Sequence, residues 1–167
     1  MNPTPTGILR TTRSGIDLEL TRVFRAPIDD VWASVTEADR TAKWFGKWEG
    51  EGRPGKTIRV QMGFEEGAPW SVMVIESCEA PRHLAVSMSD SAGDWHLEMT
   101  LDESDDVTTL VLVQHRVSAD GIGDIGPGWE YYLDMLAASR DGDALPSFDD
   151  YYPAQKEYYE QLSPSPR

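Results

Sequence analysis

Histidines are the first place to look for chemistry, because imidazole titrates near neutral pH and is the commonest metal ligand. His83, His96 and His115 fall on three separate strand-like runs, with no carboxylate or cysteine at ligand spacing. That pattern assigns no metal site, no cofactor and no catalytic residue. His96 alternates out of phase with Trp95, Leu97 and Met99, which turns it toward solvent. His115 ends its run close to the final helix, where it can meet a ligand. There is no Gly-x-Ser-x-Gly elbow, no phosphate loop and no glycine-rich dinucleotide turn. Catalysis without such motifs uses scattered polar groups inside a cavity, and here Arg22, Tyr132 and His115 would have to converge.

The aromatic and methionine residues say more. The chain has six Trp and six Met, and methionine's unbranched thioether adapts to irregular pockets. Each such residue alone is accounted for as ordinary core, stabilising by about 1.5–3 kcal/mol on burial. As a group they are expected to line a cavity for a hydrophobic small molecule. The residues assigned to that wall are Trp32, Trp44, Met62, Phe64 and Trp95, with Met99, Trp129, Tyr132, Leu133 and Leu136.

The elements that must position this wall follow from periodicity. Trp129, Tyr132, Leu133, Leu136 and Arg140 recur at steps of three and four, one face of an α-helix over Pro127 to Arg140. Pro127 suits a first helical position and Gly142 a left-handed cap. Before it, Ser118 to Gly126 reads as a flexible crossing. Ile8 to Thr12 and Ile16 to Phe24 alternate as the arms of a hairpin. Arg22 falls on the apolar side of the second arm, as an edge residue with its head in water or as a paired charge.

At Pro27 the period becomes 3.6: Ile28, Val31, Trp32 and Val35 share a face, and Asp29 and Asp30 complement the helix start. Thr36 with Asp39 resembles a cap for a second short helix to about Phe45. After a glycine-rich break with a brief strand around Trp48, a meander follows. Its runs begin at Thr57, Trp70, Leu84, Trp95 and Val107, separated by turns at Glu65 to Pro69, Ala80-Pro81, Asp90 to Asp94 and Asp102 to Asp106. The run from Trp70 to Glu79 is apolar on both faces in its middle, as in a strand covered on both sides. Short turns imply antiparallel neighbours. The expected fold class is α+β: a curved antiparallel sheet of about six or seven strands, two short helices after the first strand, and a long C-terminal helix over the sheet.

Charge and composition exclude other classes. With 29 acidic and 15 basic residues the net charge is -14, a field that repels phosphate backbones and anionic membranes. No nucleic acid and no membrane is expected as a partner. Lone Cys78 cannot form an internal disulfide, and Met1 to Thr6 lacks the charged start and apolar run of a signal peptide. A cytoplasmic protein of one domain over 1–167 is expected, with core 8–142, a tail 143–162 packed on the domain, and an end, 163–167, without order. A homodimer through a strand edge or the aromatic tail stays open.

Arg22-x-Phe24-x-Ala26-Pro27, Val31-Trp32-x-x-Val35-Thr36-Glu37 and Trp44-Phe45 stand in a recognisable order with Glu79-Ala80-Pro81-Arg82-x-Leu84, Thr109-x-Val111-x-Val113-x-His115 and Gly128-Trp129-x-x-x-Leu133-x-x-Leu136. Over roughly Ile16 to Ser139 the chain resembles the START and Bet v-like superfamily, also called SRPBCC or polyketide cyclase-like. Within it the chain is similar to the AHSA-type branch, named after the activator of the 90-kDa heat-shock-protein ATPase. Ala80 departs from the branch, which commonly has a second proline there, and the tail after Gly142 runs past its usual end. The resemblance implies a helix-grip fold whose final helix and curved sheet enclose an apolar cavity. It also implies three functions: non-catalytic binding of an apolar or lipid-like molecule, interaction with a chaperone ATPase, or cyclase- or hydrolase-type chemistry.

Overall fold

In the computed structural model, which describes residues 2–90 and 93–165, the alternating runs form a single antiparallel sheet. Strands β1 (Ile8–Thr11) and β2 (Ile16–Phe24) make the first hairpin, followed by helices α1 (Ile28–Thr36) and α2 (Ala38–Thr41). Six strands then follow in series: β3 (Trp48–Gly50), β4 (Thr57–Gln61), β5 (Trp70–Glu79), β6 (His83–Asp90), β7 (Gly93–Ser104) and β8 (Val107–Arg116). Their order is β1-β2-β8-β7-β6-β5-β4-β3. The one non-sequential pairing sets β2 against β8, from Ile16 opposite Arg116 to Phe24 opposite Thr108. The sheet is curved and unclosed, with eight strands rather than six or seven; the short edge strand β3 makes the difference. Ser91 and Ala92, in the expected turn at Asp90 to Asp94, lie outside the described residues.

Each strand has an inner and an outer face. Along β8 the inner residues Thr108, Leu110, Leu112 and Gln114 are buried, while Val111, Val113 and His115 between them are not. The β7–β8 turn places Asp105 and Asp106 at φ 52° and 59°, the left-handed pair that a tight two-residue hairpin needs. On β5 the outer face is open, with Val72 56% exposed, so this strand is not covered on both sides.

The helices differ from the sequence expectation in instructive ways. α1 starts after an extended Pro27, with Asp29 and Asp30 in its first turn. Thr36 does not cap α2; its hydroxyl donates back to the Trp32 carbonyl at 2.7 Å, and Glu37 takes the N-cap. The long helix α3 spans Ile122–Asp141, so only Ser118 to Gly121 of the expected crossing lie outside it, Ile122 to Gly126 are helical and Pro127 lies inside the helix. The glycines here serve close approach. A Cβ on Gly126 would lie 2.4 Å from the Tyr159 ring, and one on Gly123 2.7 Å from Glu160. Those partners belong to α4 (Lys156–Glu160), the tail helix packed on the first turns of α3. α3 ends as expected, with Gly142 at φ 71°.

Of the end expected to lack order, Ser165 pairs with β1: the Thr11 N–H donates to its carbonyl at 2.8 Å and its N–H donates to Leu9 at 2.9 Å. Pro166 and Arg167 lie outside the described residues.

Candidate functional site

Between the inner face of the sheet and the α1–α2 region lies a cavity of about 320 Å³. The strands contribute Ile58 and Val60 from β4, Met73 and Ile75 from β5, Val86 from β6 and Leu97 from β7. Opposite them stand Trp32, Trp44, Phe45 and Trp48, because the turns after α2 lead straight into β3. α3 supplies Trp129. The expected lid is therefore shared: α1, α2 and residues 44–48 cover the gap, while α3 packs on β2 and closes one side.

Four of the expected wall residues meet here, Trp32, Trp44, Met99 and Trp129. The others stand apart. Leu133 and Leu136 are each 0% exposed, at the solid contact beneath α3. Met62 is buried just past the end of β4, and Phe64 is exposed, because the strand stops at Gln61 and Met62 already bonds across the turn to Pro69. Trp95 sits edge-on to Trp129, with centroids 6.4 Å apart. Tyr132 packs on Phe45 at 5.2 Å and donates its hydroxyl to Glu65 at 2.9 Å. Burial and the Glu65 charge push that phenol far above its ordinary pKa, so it stays a donor. Phe45 and Trp48 were missed as wall residues. The glycine-rich break around them hid that both follow a helix end and point back under it.

Polar groups on the wall are already engaged. Trp44 Nε1 donates to the Ser34 carbonyl and Trp48 Nε1 to the Thr36 carbonyl, each at 2.9 Å. Trp129 Nε1 donates to buried Gln114 at 2.8 Å. The Thr41 hydroxyl donates to the Ala38 carbonyl at 3.2 Å. Burial raises the pKa of Cys78, which faces the cavity as a neutral thiol. Glu98 also borders the cavity, but it lies between the inward Leu97 and Met99, and its carboxylate is held by histidines on the other face.

Arg22 is not an edge residue. Its Nη2 lies 2.9 Å from Glu130 and its Nε 3.0 Å from Asp134, both on α3. Glu130, 1% exposed, also accepts bonds from Thr6, the Gly7 N–H and the Tyr159 hydroxyl, and Tyr151 donates to Asp134 at 2.7 Å. This clasp ties β2, α3, the N-terminal segment and the tail together. No described residue of the tail lines the cavity.

His115 points away from α3, onto the outer face. Its Nδ1 lies 2.7 Å from Asp17 and its Nε2 contacts Glu98, whose other oxygen is 2.8 Å from His83 Nε2. Burial works against charge on His115, but the bonds to Glu98 and Asp17 outweigh it and raise its pKa. Glu98 is lowered, first by its bond to His83. Arg22, Tyr132 and His115 thus stand in three separate places, and the polar convergence that cavity chemistry would need is not formed by them. Among the described residues no group of three or more His, Cys, Asp or Glu side chains is arranged to hold a metal ion, and no helix is long and apolar enough to cross a membrane.

A long helix gripped by a curved antiparallel sheet, with an apolar cavity beside it, defines a helix-grip protein of the SRPBCC type. The chain belongs to the family described as Activator of Hsp90 ATPase homolog 1-like protein, whose model matches residues 25–139. No curated protein matches the sequence. Among solved structures it is similar to CalU16 from Micromonospora echinospora, at 26% identity and TM-score 0.76 over 95% of this chain and 96% of that one. It is also similar to a protein of Bordetella parapertussis, at 25% identity and TM-score 0.73 over 99% and 96%. DynU16, from the dynemicin biosynthetic locus, shares the fold at 22% identity and TM-score 0.67, over 82% of this chain and 50% of that one.

Proposed function

We propose that the protein binds an apolar small molecule in its internal cavity, as a carrier or sensor and without catalysis. The observation that carries this reading is the wall itself: about 320 Å³ bordered by aliphatic strand residues and five aromatic side chains. That is the lower end of the range usual for small-molecule sites. A predominantly apolar wall left against water is unfavourable, and an apolar guest that covers it gains about 25 cal/mol per Å². Membership of a superfamily known for cavity binding supports the same reading.

The test is a screen of a broad apolar library by tryptophan emission and thermal unfolding. Trp32, Trp44, Trp48 and Trp129 border the cavity, so an occupant quenches them. A ligand at a hundred times its Kd adds about 2.7 kcal/mol, a rise in Tm of about 5–10 °C for a chain of this size. No quenching and no rise across the library would overturn the reading.

A further inference from the structure

Resting on that binding reading, we infer that the cavity selects an uncharged ring molecule with one hydrogen-bond acceptor, held by Trp32 Nε1, and turns away the carboxylated form of the same skeleton. The inference starts from which wall groups are free. Four indoles border the cavity, and three have their N–H engaged: Trp44 with Ser34, Trp48 with Thr36 and Trp129 with Gln114. The Thr36 and Thr41 hydroxyls donate to helix carbonyls. Trp32 differs. Its indole is half-buried on the wall and makes no hydrogen bond among the described residues. Trp95 Nε1 is also without a partner, but Trp95 is set edge-on behind Trp129 and is not part of the wall. Apart from the weakly donating Cys78 thiol, one side-chain donor is therefore available to a guest.

Charge gives the second half. No Lys, Arg or His is among the described wall residues, and the one charged side chain there, Glu98, is an acid. A carboxylate placed inside would lose its water and gain neither a cation nor a set of donors, which disfavours it strongly. A carbonyl or ether oxygen needs only the single N–H that Trp32 offers. Five rings on the wall favour a flat, ring-bearing guest through edge and face contacts.

Three probes of one skeleton separate these claims: fluorene, 9-fluorenone and 9-fluorenone-4-carboxylate, titrated into the full chain by tryptophan quenching. Salt of about 0.5 M confines electrostatics to about 4 Å, so the overall charge does not decide the outcome. Fluorenone is expected to bind about 3–10-fold more tightly than fluorene, the worth of one net hydrogen bond, and the carboxylate at least tenfold more weakly than fluorenone. In Trp32→Phe the advantage of fluorenone over fluorene disappears. Independently of that variant's folding, the carbonyl stretch of fluorenone bound to the unaltered protein moves to lower frequency. A carboxylate bound within tenfold of fluorenone overturns the charge selection. Equal affinity for fluorene and fluorenone, an advantage that persists in Trp32→Phe, or an unshifted carbonyl stretch overturns the role of Trp32. If none of the three binds while other apolar compounds do, the selection fails and the binding reading stands; if nothing binds at all, both fail.

Discussion

Arg22 Nη2 lies 2.9 Å from Glu130 Oε1, a half-buried cation on a buried anion where β2 meets α3. Arg22→Met leaves Glu130, 1% exposed, without its cation, and is expected to destabilise the fold by about 3–5 kcal/mol in urea unfolding. Adding Glu130→Leu is not expected to recover that loss, because the buried Tyr159 hydroxyl and the Gly7 N–H then lose their acceptor. Burial raises the Glu130 pKa, but the bonds from Tyr159, Thr6 and Arg22 bring it below its ordinary 4.5. A lowered carboxylate stabilises above its unfolded value and loses that contribution as pH falls through the folded one. The gap between the parent and Arg22→Met should therefore narrow below pH 4.5.

The outer-face cluster predicts a second pH dependence of opposite sense. His115 has a raised pKa, so its contribution is complete below 6.5 and is lost as pH rises through the higher folded value. Glu98 has a lowered pKa, so its contribution is complete above 4.5 and is lost on acidification. Both act fully between those limits. His115 is 42% exposed on its side chain, and water and salt screen the effect. Urea midpoints measured from pH 4 to 9 should decline on the alkaline side less steeply in His115→Gln than in the parent.

Two glycines of α3 should respond oppositely to the same change. Gly126→Ala sets a methyl 2.4 Å from the Tyr159 ring, which must push α4 off the helix. Its expected signature is faster proteolysis within 143–165 together with lost stability. Gly128→Ala meets nothing within 4 Å and is expected to gain about 0.5–1 kcal/mol from helix propensity.

Cavity wall and solid core are separable by mutation. Leu133→Ala, at a site 0% exposed beneath α3, is expected to cost about 2–5 kcal/mol. Val86→Trp instead places a ring into existing space. Its cost should stay within about 1–3 kcal/mol while probe binding is lost.

Much of this fold could be read from alternation and caps. Ile58 and Val60, Leu110 and Leu112, Pro27 before α1 and Gly142 after α3 each report a local preference that the tertiary structure keeps. What escaped was set by distant partners. Gly123 and Gly126 looked like a loop because the side chains they make room for, Glu160 and Tyr159, come more than thirty residues later. Arg22 reads as either an edge charge or a paired one, and its partners Glu130 and Asp134 become visible only once α3 lies over it. His115 finds Asp17 and Glu98 only through the pairing of β2, β8 and β7. The wall shows the same division: Trp32 and Trp129 follow from helical faces, whereas Phe45 reaches it from the turns after α2 and Trp48 from the first position of a strand too short to show a period.

The most direct measurement of the central claim is native mass spectrometry of the protein isolated from its own host, beside Val86→Trp prepared the same way. The parent should carry an added mass of a few hundred daltons, released by organic extraction, and the variant should be free of it. A parent that flies at its bare chain mass, or an adduct retained in Val86→Trp, would contradict a guest in this cavity.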